Sequence, residues 1–179
     1  HSALLAGVAL TASPAQAATK GPYYAEPAWD QKLEPVQRFL VMTDWNSEAV
    51  LDRETGLVWE KTPTSTPVAN PTSWLNARLT CANKSVGGRK GWRLPSIPEL
   101  ASLIDPNVTP GPTLPPGHPF TTGTTGVQSA DYWSATTNAD DPTGAAWFVF
   151  FGDGGVGLDG KTGIDTFRAW CVRGGMNAD

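Results

Sequence analysis

Two cysteines, Cys81 and Cys171, are all that this 179-residue chain carries, and they stand far apart in it. If they bond, a helix-like stretch and the last apolar stretch must meet, which removes most conceivable topologies. Whether they bond depends on the compartment. The N-terminal run "SALLAGVALTASPAQA" has the apolar core and the small-residue cleavage region of a secretory signal, with Ala15 and Ala17 flanking Gln16. It is too short to span a bilayer. The charged start of such a signal is missing, which predicts truncation at the N-terminus, with residues 1–17 removed on export. Export makes an even cysteine count favour a disulfide. Closing so long a loop is worth about 4–5 kcal/mol in the chain-entropy model. The rival reading is a redox or metal-binding thiol pair. Zinc needs four ligands, and His118 in "PPGHPF" is the only other soft candidate after residue 17.

The net charge of −4, with no long Lys/Arg run, argues against duplex nucleic acid, whose binding depends on phosphate neutralisation. No further stretch approaches the length of a membrane span, so the exported form is expected to be secreted, periplasmic or held at the cell surface. At this length one compact domain buries about 70% of its unfolded surface.

Residues 18–37, with three prolines and no apolar period, read as an extended lead-in. "VLDRETGLVWEK" (50–61) predicts a hairpin turning at Arg53–Gly56. "NPTSWLNARLTCANKSV" predicts a helix with Asn70 as N-cap and Pro71 in its first turn, and the spacing of Trp74, Ala77 and Cys81 turns the cysteine inward. In "GWRLPSIPELASLIDP", Ser96 and Glu99 form a capping box, Leu100, Leu103 and Ile104 a buried stripe, and Pro106 a stop. Residues 106–127 are a long Pro/Gly/Thr loop, of a kind often functional. "DYWSAT", "AAWFVFF", "VGLD" and "TFRAWCVR" follow as short strands. The order of hairpin, two helices and strand meander predicts an α+β domain.

"LDRETGLVWEK", "GWRLPSIPELASLID", "DYWSATT", "AWFVFFGDGG" and "AWCVRGG" occur in that order. Together they resemble the Lcl C-terminal domain family, named for a bacterial collagen-like adhesin, over residues 38–175; residues 176–179 are left as a tail. The resemblance implies a C-type-lectin-like fold, with two helices packed on short antiparallel strands and long irregular loops. It relates the chain to formylglycine-generating enzymes and to variable proteins of diversity-generating retroelements. It also implies a disulfide from helix to last strand, which Cys81 and Cys171 match. One departure is Trp170, where the family usually has Arg before the last cysteine.

"FFGDGGVGLDG" (150–160) looks like a calcium loop, and "GGVGLDGKT" nearly matches the nine-residue calcium repeat of β-helices. That repeat works only in tandem, and its apolar eighth place holds Lys161. The Glu-Pro-Asn, Gln-Pro-Asp and Trp-Asn-Asp signatures of calcium-dependent lectins do not occur. The stretch reads as a strand and a glycine turn, with no cofactor or metal expected. Asp140 and Asp141 in "NADDPTG" read as solvated turn formers rather than paired catalytic carboxylates.

Three functions compete. The first is a binding module, adhesin-like or receptor-like, for a glycan or protein ligand. The second is a structural subunit of an extracellular or surface assembly, including a homo-oligomer. The third, a formylglycine-generating-like enzyme, is disfavoured because both cysteines match the structural pair. Two surfaces are candidates. With Cys171 inward, strand alternation sends Arg168 and Trp170 to the opposite face. The family's core positions match Trp147, Val149 and Phe151, so Phe148 and Phe150 point away as well. Phe148, Phe150, Arg168 and Trp170 are therefore expected on one binding surface. A secondary basic patch, Arg78, Lys84, Arg89 and Lys90, suits sulfated glycans. The competing reading has loop 106–127 or a subunit covering the aromatic face.

Overall fold

The computed structural model of the chain describes residues 33–64, 67, 73–163 and 166–174. The signal segment 1–17, most of the lead-in, the Asn70/Pro71 cap and the tail 176–179 lie outside the described residues.

The chain is mixed α+β, with two antiparallel sheets and few helices. One sheet has the order β1-β2-β3-β7, built from β1 (Phe39–Val41), β2 (Ala49–Asp52), β3 (Val58–Glu60) and β7 (Val172–Arg173). The other has the order β4-β5-β6, from β4 (Asp131–Thr137), β5 (Ala145–Phe150) and β6 (Gly155–Gly160). The expected hairpin is β2–β3, with Val50 opposite Trp59. The end of the lead-in is not extended: Pro35–Arg38 makes a single helical turn, α1. There the Arg38 guanidinium grips buried Asp52 through two hydrogen bonds of 2.9 and 2.8 Å.

Helix α2 (Ser73–Asn83) buries Trp74, Ala77 and Cys81, the stripe read from their spacing. Helix α3 (Ile97–Ala101) carries the capping box: the Glu99 amide donates to the Ser96 side chain and the Ser96 amide donates to Glu99. It ends at Ala101, so Leu103 is buried from the turn beyond it and Ile104 is only half-buried.

Two cores share the sheets. One holds Val50, Trp59, Leu100, Leu103, Val149, Phe151, Trp170 and Val172 among others. The other holds Ala49, Trp74, Cys81, Trp92, Trp133, Ala146, Phe167, Ala169 and Cys171. Neighbouring residues split between them: Tyr132 and Trp133, Phe148 and Val149, Cys171 and Val172. Period-2 alternation thus buries both faces. Loop 106–127 closes the first core with Leu114, Phe120 and Val127.

Cys81 and Cys171 are bonded, with their Cα atoms 5.3 Å apart. The bridge fastens α2 to the residue just before β7.

Candidate functional site

The aromatic face expected from alternation does not form. Trp170 has no exposed surface and sits in the centre of the first core. Its ring meets Phe120 at 5.0 Å, Phe151 at 5.5 Å and Trp59 at 5.6 Å, and its indole N–H donates to the Glu60 carbonyl at 2.8 Å. Alternation gave its side correctly, opposite Cys171. Of the two readings of that side, open to solvent or covered by loop 106–127, the covered one holds, since the loop closes it with Phe120. Phe148 does point away from Val149, but into the second core, with its ring 4.7 Å from Phe167 and 6.3 Å from Trp133. Phe150 is half-buried, its ring close over Gly152. Half-buried Arg168 is held by its backbone between Asp131 and Trp133. Four residues expected on one surface are thus divided between two interiors and their margins.

The glycine loop is a hairpin turn. Gly154 adopts φ +84°, and the Asp153 side chain accepts the Gly155 amide at 2.8 Å. Asp141 likewise accepts the Gly144 amide at 2.9 Å. Among the described residues, no group of three or more His, Cys, Asp or Glu side chains converges as a metal site.

The basic patch separates into three. Lys84 pairs with the carboxylate of buried Glu60. Burial raises the pKa of that carboxyl, against the opposing pull of Lys84. Arg78 stacks on Trp74, its guanidinium 4.8 Å from the ring centre. It lines a cleft of about 570 Å³ with Trp92, Leu94, Ala135 and the Arg93–Glu99 pair. In that pair Arg93 donates to both Glu99 oxygens, at 2.8 and 2.6 Å.

Arg89 and Lys90 belong to a third site, which the sequence reading missed. Trp45 is half-buried below them, and two guanidinium groups, those of Arg89 and Arg173, each lie 5.4 Å from its ring centre. Arg173 also donates through Nε to the Lys90 carbonyl at 2.9 Å. The loop carrying Arg89 lies directly on Trp45: a Cβ at Gly87 would stand 2.5 Å from the Trp45 Cβ, so only glycine fits. Trp45 is presented by a bend in which Asn46 and Ser47 both take positive φ. Arg89 and Lys90 are exposed, and neither they nor Arg173 forms an ion pair among the described residues. The nearby Glu48 carboxylate accepts the Gly87 amide at 2.6 Å. The arrangement offers two flat guanidinium groups on an aromatic base beside a lysine, which suits planar or clustered anions. Only Arg89 and Lys90 were legible beforehand, as neighbours in sequence; Trp45 and Arg173 come from opposite ends of the fold.

No protein of curated function matches the sequence. A family model, that of the Lcl C-terminal domain, matches residues 48–173, a span that includes the disulfide, both sheets except β1, and Arg89, Lys90 and Arg173 of the third site but not Trp45 itself. The chain belongs to the Lcl C-terminal domain family.

Proposed function

We propose that this chain is an exported, non-catalytic binding module that holds an anionic ligand, a sulfated or carboxylated glycan or an acidic protein segment, on the Trp45 face. The observation that carries this reading is the pair of guanidinium groups on one indole, with Lys90 beside them and, among the described residues, no carboxylate paired to any of the three. Stacking on Trp45 orients the two arginines while leaving N–H edges free to donate, so little side-chain freedom is lost on binding. Arg173 contributes to this face from β7, whereas Phe148, Phe150, Arg168 and Trp170, named from the sequence, do not line it. We also read the fold as C-type-lectin-like, a reading supported by the bridge from α2 to the approach of β7 and by the long loops joining two antiparallel sheets. The bridge occupies both cysteines, which leaves no thiol for formylglycine-type oxidation and supports a non-catalytic role in an oxidising compartment.

Titration with a heparin-derived oligosaccharide, with uncharged dextran as control, tests this. Heparin should bind with an affinity that falls as salt rises, and Arg89→Ala and Arg173→Ala should each weaken it about tenfold, in line with charge-assisted hydrogen bonds. Heparin and dextran binding alike, or unchanged affinity in both variants, would refute the site.

A further inference from the structure

Independently of that site, we infer that the outer edge of β6 is a self-association surface, where a second copy of the chain adds its own β6 in antiparallel register. The observation is an asymmetry among sheet edges. The outer edge of β4 is stitched: the Arg168 amide donates to the Asp131 carbonyl, and the Trp133 amide to that of Arg168. Beyond β7, Arg93 and Val172 exchange amide–carbonyl bonds at 2.9 Å. β1 is only three residues long. β6 runs for six residues, pairs with β5 without a register break, and has no neighbour on its other side among the described residues.

Natural edges are usually guarded by lysine, proline, a bulge or a covering loop. β6, "GVGLDG", has no lysine or proline. Its single charge, Asp159, accepts the adjacent Gly160 amide at 2.6 Å. The strand instead exposes two large apolar side chains, Val156 at 48% and Leu158 at 42%. They lie opposite Val149 and Trp147 on β5, so one face of the sheet runs out to its rim as an apolar row.

The strand is complementary to itself. A two-fold axis through Gly157 sets Val156 of each copy opposite Leu158 of the other and Gly155 opposite Asp159. Both exposed apolar residues then gain a cross-strand partner, and like charges do not face each other. Moving the axis to Leu158 leaves Val156 against Gly160; moving it to Asp159 opposes two carboxylates. The Gly157 register joins the two three-stranded sheets into one of six, in the order β4-β5-β6-β6-β5-β4. An unrelated strand would have to supply this match; a second copy already has it.

Sedimentation equilibrium on the disulfide-bonded chain across a wide concentration range tests the inference. A monomer–dimer equilibrium is expected, and Val156→Lys and Leu158→Lys should each weaken it at least tenfold with unchanged circular dichroism. Leu75→Lys and Leu79→Lys, on the exposed face of α2 (47% and 49%), control for loss of any exposed leucine and should leave it intact. Amide exchange in β6 should slow as concentration rises. A monomer at every concentration overturns the inference, as does a dimer that the α2 variants dissociate and the β6 variants do not.

Discussion

Trp170 and Cys171, adjacent in sequence, are both fully buried and lie in different cores. One peptide unit therefore anchors the wall between them: the indole locks to Glu60 and Phe120 on one side, the sulfur to α2 on the other.

Trp170→Ala is expected to cost about 3–5 kcal/mol, the range for deleting a large aromatic from a packed interior. Urea denaturation measures it. Heparin affinity of the variant, where it stays folded, should match that of the native chain, because Trp170 contributes nothing to the Trp45 face.

Reducing the disulfide should lower stability by about 4–5 kcal/mol, since the bridge spans 90 residues of chain. Thermal melts with and without dithiothreitol check this, and alkylation of the native protein should label no thiol.

Asp52→Ala should destabilise by about 3–5 kcal/mol, because it removes the bidentate partner of the buried Arg38 guanidinium and leaves it Glu54, the Ser102 carbonyl and the Phe39 ring. The double variant Arg38→Met/Asp52→Leu should recover much of that loss. Chemical denaturation of the three proteins decides it; a single variant as stable as the native chain would show that Glu54 suffices.

Two carboxylates give opposite acid responses. Burial pushes the Glu99 carboxyl up, but the Arg93 and Ser96 hydrogen bonds outweigh it and hold the pKa below its usual value. Its stabilisation is complete above the unfolded pKa of about 4.3 and is lost as pH falls through the lower folded value. Burial lifts Glu60 despite Lys84, so folding gains stability from that group as pH falls from its raised pKa to the ordinary carboxylate range. Melting curves from neutral pH to pH 3 should show Glu99→Gln blunting the acid loss and Glu60→Gln removing the gain.

What the sequence disclosed was mostly local. The capping box needs only residues three apart, and the Gly154 turn only its own φ, so both were readable. The inward face of α2 followed from periodicity. Trp170 was misplaced because alternation tells which side a residue takes and not what lies there; Phe120, fifty positions earlier in an irregular loop, decides that. The Trp45 site was invisible for a similar reason: residues 45, 89 and 173 meet only after β3 and β7 have paired.

The covalent link has a further consequence when a protease meets this protein. Everything from Cys81 to Cys171 lies inside a closed ring, including the exposed stretches of loop 106–127. A protease that cuts that loop opens the ring without releasing a fragment. The nicked molecule keeps both sheets tied to α2, and its two pieces separate only once the disulfide is reduced.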